Sequence, residues 1–373
     1  MKPSFERQLR TYDDITKDQR DLEREGRSDE RLRHVLDWTV ERAAKATNTN
    51  IETQRDIVRL QRVKRDIMER LRARLRRIDA DEGEPDGGRP VKMEAGGLVA
   101  TDRDGKRFPV STGELLTDGD WGIRYDLDPA SVPKHLRKRY AVAEAKRELQ
   151  TYLDTQILLQ ESASGWTHEF KRDTYARILD EREAETAMER SGLVAERMVK
   201  NLLKKASIDF GLDFVIHDVD VYQDVEQKVD FIIRRRDADR GVKVEEERRV
   251  GIQFTINKTQ RAQEKKTKQI ERAKRELTRG DRIQDIVLVT MPMDDIRDML
   301  HAWKRHRNPG GPDAAWDVET KQRILRGIFS KLIPDEDIER YCEALQAPST
   351  ENPFAPSPSR QRRDATSEYT QPQ

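Results

Sequence analysis

One cysteine, Cys342, is all the chain contains. It excludes an intramolecular disulfide framework and any zinc site built from a cysteine cluster. The 6 histidines form no H-E-x-x-H pattern, and neither a phosphate-binding P-loop nor a dinucleotide-type glycine motif occurs. Kinase, hydrolase-triad and zinc-enzyme chemistries therefore lack residues to carry them. Aromatic residues make up 6% of the chain, and no apolar run approaches the ~18 residues of a membrane span. The first residues, Met1-Lys2-Pro3-Ser4-Phe5-Glu6, carry no signal-peptide pattern. A soluble, cytoplasmic protein without a membrane partner is the expectation, and the lone cysteine fits a reducing compartment. Net charge is also missing: 72 Lys and Arg stand against 71 Asp and Glu, so only local charge can identify a partner.

What is present is charge in quantity. Charged residues are 38% of the 373, hydrophobic ones 35%, a balance that suits long solvated helices around a modest core. Residues 1–80 read as a basic helical hairpin. A helix starts at Ser28 and is broken at Asn48–Asn50. A second follows with Ile57, Leu60, Val63, Ile67, Leu71 and Leu75 at three- and four-residue steps. Between Arg55 and Arg77 basic residues far outnumber Asp56, Asp66 and Glu69. That face suits either solvent, or nucleic-acid phosphates or an acidic partner. Residues 81–88 are a turn-rich linker. Residues 89–190 predict one or two β-hairpins, then long helices opening at Val132–Pro133 and near Glu169. Asp102–Gly105 is a turn, since its glycine falls too early for a calcium loop. After Asn308–Pro312, residues 306–345 predict two short helices, and 346–373 are composed as a disordered tail.

Residues 191–305 change character. In Val250–Asn257, Ile252, Phe254 and Ile256 alternate with Gln253, Thr255 and Asn257, so a strand has one apolar and one polar face. In Lys228–Ile233, Val229, Phe231 and Ile233 share one face and Asp230 lies with Ile232 on the other. A carboxylate within such an apolar run needs a partner, a metal or a mechanism. Ahead of these strands a helix capped by Ser191 carries Ala195, Met198, Val199, Leu202, Leu203 and Ala206, with Glu196 on the border of the stripe. A strand over Asp213–Tyr222 follows it. A basic helix (Thr259–Arg279), a short strand (Ile286–Val289) and a helix from Asp294 complete the unit.

The order helix, three strands, helix, strand resembles the core of the PD-(D/E)XK nuclease superfamily, the restriction-endonuclease-like fold. The chain would then be an α/β protein with a long helical N-terminal extension and a short helical C-terminal one. The resemblance implies Glu196, Asp230 and Gln253 as Mg²⁺ ligands, Gln253 standing where a glutamate is usual. It implies Asp230 and Gln253 as catalytic positions, with a lysine that orients or deprotonates the attacking water. Thr255 occupies the lysine position, so the amine has to come from Lys258 or from Lys265, Lys266 or Lys268 on the next helix. Lys265, Lys266, Lys268 and Arg272 are the expected phosphate contacts, and Gln269 resembles a glutamine of some exonuclease branches.

Three functions follow from these residues. The first is a metal-dependent nuclease acting on DNA or RNA. The second is a nuclease-fold protein that binds nucleic acid without cutting it, which the missing lysine at 255 favours. The third is a helical scaffold that meets nucleic acid, a protein partner or a second copy through its N-terminal helices.

Overall fold

The structure, a computed structural model, describes residues 51–83, 87–163, 165, 168–183, 191–219, 221, 224–225, 228–235, 249–256, 259–276, 283–290, 296–330 and 332–346. The helix expected from Ser28, residues 236–248, Lys258 and the tail beyond Gln346 lie outside the described residues. The chain is mixed α/β, with two small mixed sheets and surrounding helices. No helix among the described residues is long and apolar enough to cross a membrane.

Helix α1 (Ile51–Asp79) carries the expected apolar stripe. Ile67, Met68, Leu71, Leu75 and Ile78 are buried, and Val63 is partly so; the side chains of Ile57 and Leu60 lie outside the described set. The stripe packs on α3 (Lys134–Ala163), against Ala141, Val142, Leu149 and Leu153. Arg62, Arg65, Arg70 and Arg76 are left in solvent.

Residues 89–127 hold more than hairpins. Strands β1 (Arg89–Glu94), β2 (Gly97–Thr101) and β3 (Arg107–Val110) form an antiparallel meander. After a short helix α2 (Thr112–Thr117) and a 3-10 turn (Asp118–Trp121), β4 (Tyr125–Leu127) returns parallel to β1. Ser111 caps α2 and shares a capping box with Glu114. Asp209 then ties the cap to the rest of the molecule, accepting from Ser111 Oγ and from Gly113 N, each at 2.7 Å. A Cβ at Gly113 would stand 2.8 Å from Lys205 Cα, so only glycine lets α2 approach this closely.

Helix α3 is a spine. Its first half covers the first sheet through Leu136 and Tyr140, its middle carries α1, and its last turns hold α4 (Glu169–Glu183) through Ile157, Leu158 and Tyr175. Val221 and Val225 join that last cluster.

From Ser191 the described elements run helix, three strands, helix, strand. They are α5 (Ser191–Asp209), β5 (Phe214–Asp218), β6 (Phe231–Arg235), β7 (Arg249–Thr255), α6 (Gln260–Glu276) and β8 (Asp285–Thr290). The sheet order is β5-β6-β7-β8, antiparallel except for the last pair, which is parallel and spanned by α6. Period two separates two cores. Phe231, Ile233, Val250, Ile252 and Phe254 face Val199, Leu202 and Leu203 of α5. Ile232 and Leu288 face Ile270 and Ala273 of α6.

Val229 differs from its expected face. It precedes β6 and packs on the α6 side, over Gly251, where a Cβ would come within 2.9 Å of its methyl. Alternation holds only where the backbone is paired as a strand, and Val229 lies just before it. Helices α7 (Ile296–His306), α8 (Val318–Phe329) and α9 (Asp335–Ala344) close the α5 side, with Phe214, Phe329 and Tyr341 in mutual ring contact.

Candidate functional site

The centre of interest is built where β6 begins. Phe231 pairs with Ile252, and the Asp230 amide donates to the Ile252 carbonyl at 2.8 Å. Asp230 stands just before the paired residues of β6, and its side chain meets Gln253 of β7. Gln253 Nε2 donates to Asp230 Oδ1 at 2.7 Å, and the Phe254 amide donates to Asp230 Oδ2 at 2.5 Å. Both side chains are buried, as is Thr255 on the same face of β7.

Helix α6 closes the site from above. Lys266 Nζ donates to the Phe254 carbonyl oxygen at 3.0 Å. Phe254 thus meets Asp230 through its amide and Lys266 through its carbonyl. Lys265, Lys268, Gln269 and Arg272 are exposed on the same helix, while Lys258, the other candidate amine, lies outside the described residues.

Glu196 enters from α5, and Asp224 from the turn that Val221 and Val225 anchor on α3. Burial raises the Glu196 carboxyl to about 7; Asp224 pushes it further up, while Lys200, Arg197 and Lys266 pull it down. Burial also holds the Asp230 carboxyl well above the ordinary range, and the charges of Glu196 and Asp224 add to it, against the Phe254 amide and Lys266. Burial and mutual repulsion, with Asp224 adding to both, favour the protonated forms of Glu196 and Asp230, and carboxyl groups perturbed in this way make the cluster a candidate site.

The donor chemistry suits a hard divalent cation, because carboxylate and amide oxygens are what such an ion takes. The spacing is looser. No group of three or more His, Cys, Asp or Glu among the described residues stands close enough to hold a metal ion in this arrangement. Both Asp230 oxygens are engaged by N–H donors, and the Phe254 carbonyl already serves Lys266.

Sequence reasoning passed over Asp224 and a neighbouring charged network. Lys200 Nζ lies 3.1 Å and Lys204 Nζ 2.6 Å from the two Asp218 oxygens. Arg147 Nε lies 2.7 Å from Asp120 Oδ1. Swapping the Asn201 amide assignment lets it donate to Asp120 Oδ2 and accept from Trp121 Nε1, each at 3.0 Å. The spacing Glu196, Lys200, Lys204 places these groups on one helix face, and that regularity was the available signal. In comparisons with known proteins, no protein-family model, curated protein or solved structure matches the chain.

Proposed function

We propose that residues 191–305 form a divergent PD-(D/E)XK-like core and that the protein acts on nucleic acid by metal-dependent phosphodiester hydrolysis. The observation that carries this reading is Lys266. It brings an amine to the Asp230–Gln253–Phe254 cluster from α6, supplying the charge that Thr255 does not. The element order and the β5-β6-β7-β8 sheet support the same reading.

Glu196, Asp230 and the Gln253 amide oxygen would hold Mg²⁺, with Asp224 within electrostatic reach of both carboxylates. When bound, the ion would acidify a water and offset charge on the phosphoryl oxygens. The remaining work falls to the chain. Gln253 and the Phe254 amide fix the Asp230 carboxyl in place. Lys266 holds a positive charge beside it, able to orient a water or take part in its deprotonation. The exposed Lys265, Lys268 and Arg272 line α6 where phosphates would be met.

The test is cleavage of labelled single- and double-stranded DNA and RNA by the full chain with Mg²⁺. Activity lost on Asp230→Asn supports the reading. No cleavage of any of the four substrates by folded protein removes it.

A second reading, a nuclease-fold protein that binds nucleic acid without cutting, draws on the engagement of both Asp230 oxygens by N–H donors. Salt-sensitive binding with no cleavage selects it.

A further inference from the structure

Beside the Asp230 centre, basic side chains converge from separate elements. Lys146 and Arg147 come from the middle of α3, and Arg197, Lys200 and Lys204 from α5. Arg197 donates to the Asp120 carbonyl at 3.2 Å and stacks over Trp121, with 5.3 Å to the ring centroid. Lys200 and Lys204 share Asp218, and Lys204 also lies 3.8 Å from Asp120 Oδ2. Among the described residues, the carboxylates in this group are Asp120 and Asp218, with Glu196 at its edge.

The groups are sheltered. The Lys200 and Lys204 side chains are 19% and 17% exposed. Grouped cations so placed repel one another with little water to screen them, and an anion would relieve the cost. Burial and the Lys204 and Arg147 charges lower the Lys146 amine against Asp218 and Asp120, whereas Asp218, Glu196 and Asp120 raise Lys200 despite its burial. His217, next to Asp218, is held well below its usual range by burial and by Arg234, Lys146 and Lys204. Asp120 holds Arg147 in place, and Asp218 holds Lys200 and Lys204.

We infer that Lys146, Arg197, Lys200 and Lys204 form a cradle for one phosphate group of a nucleic-acid strand, one helical turn along α5 from Glu196. The proximity to a cleavage centre rests on the reading of Asp230 and Lys266 above; the phosphate binding does not. A phosphate suits because it accepts from several donors at once, and its charge is opposite to that of a group in which Lys146, Arg147, Arg197, Lys200 and Lys204 outnumber Asp120, Asp218 and Glu196. Its source is either a strand's terminal phosphate or an internal one.

The experiment uses the full chain in EDTA. A short single-stranded oligonucleotide bearing a 5′-phosphate, a 3′-phosphate or neither is titrated, with inorganic phosphate as competitor. The variants are Lys200→Gln and Lys146→Gln, with Arg326→Gln, at an exposed position of α8, as a control outside both the cradle and the Asp230 centre. Lys200→Gln leaves Asp218 paired with Lys204, so the fold has its ion pair; should it fail to fold, Lys146→Gln decides. The expected result is competition by phosphate and binding about ten- to a hundredfold weaker in each lysine variant, the worth of a charge-assisted hydrogen bond. Arg326→Gln should bind as the wild type does.

A preference for one phosphorylated end that vanishes in the variants identifies a terminal phosphate. Equal loss for all three oligonucleotides identifies an internal one. Unaltered binding in the folded lysine variants, or no competition by phosphate in the wild type, overturns the cradle. Cleavage decides the other reading separately: a protein that binds through the cradle but never cuts keeps the cradle and loses the catalytic centre. One that cuts with cradle variants unaffected in binding does the reverse.

Discussion

Lys266 Nζ and the Phe254 carbonyl oxygen are 3.0 Å apart, and the amide of Phe254 is hydrogen-bonded to Asp230. A cation from α6 therefore reaches the backbone of the strand that presents Gln253 and Thr255. A lysine at 255 would bring its charge to this place from within the strand. Lys266 brings it from the helix packed above.

That relationship separates the α6 lysines. Lys266→Met should lower Mg²⁺-dependent cleavage by about two to four orders of magnitude, the usual worth of a positioned acid–base group. Lys265→Met and Lys268→Met, both exposed, should chiefly weaken binding and flatten its salt dependence. Single-turnover rates at saturating enzyme make the distinction. Equal rate losses at all three positions would mean that Lys266 is only another phosphate contact.

The carboxyl pair predicts a linked dependence on pH and metal. Glu196 is raised to about 7, so the folded chain holds its proton more tightly than the unfolded one. Its stabilising contribution is full below about pH 4 and is lost as pH rises through about 7. A divalent cation binds the ionised form, so Mg²⁺ should raise Tm more at about pH 8 than at about pH 6. Glu196→Gln should shrink that difference. Thermal unfolding at both pH values, with and without MgCl₂, tests it.

Asp118 offers a second, metal-independent pH effect. It accepts from Tyr125 OH at 2.5 Å and from Gly310 N at 2.9 Å, and burial raises it to about 7 against the pull of Lys205. With a raised carboxyl the sign is the same, stability falling as pH climbs from about 4 to about 7. Asp118→Asn should flatten part of that fall in denaturant titrations, with Asp209, raised to about 6, retaining some of it.

Lys205 joins α5 to the segment at 310–313. Its amine lies 2.6 Å from Asp313 Oδ2 and also donates to the Gly310 carbonyl, and the Asp313 side chain is 2% exposed. Lys205→Met leaves that carboxylate buried without its cation and should cost about 3–5 kcal/mol. Denaturant unfolding reads the loss; a change under ~1 kcal/mol would show that Asp313 is neutral in the folded state.

On the helical arm, burial and charge should part company. Leu71→Ala removes a side chain 3% exposed between α1 and α3 and should destabilise by about 2–5 kcal/mol. Arg70→Ala breaks the pair with Glu148, whose side chains are 62% and 55% exposed, and should cost under about 1 kcal/mol. Amide exchange along α1 and α3 follows both.

Local pattern was enough for some of this. Period two in Val250–Thr255 put Gln253 and Thr255 on one face and Ile252 and Phe254 on the other, because alternation is a property of the extended backbone itself. The same holds for the α1 stripe and for the α5 stripe beside Glu196, where 3.6-residue periodicity fixes which side is apolar. The Gly and Pro break at 308–312 lies where the path turns between α7 and α8.

Which distant element covers each face was not written locally. α1 packs on α3, far along the chain; β4 returns parallel to β1; and among three neighbouring lysines only Lys266 reaches Phe254, because the parallel β7–β8 pairing sets how α6 lies on the sheet. Asp224, Lys200, Asp218 and Asp120 looked like ordinary surface charges in sequence. They become a network only when α3, α5 and β5 close on one another, since charge interactions depend on distance and burial, and both are fixed by the tertiary structure alone.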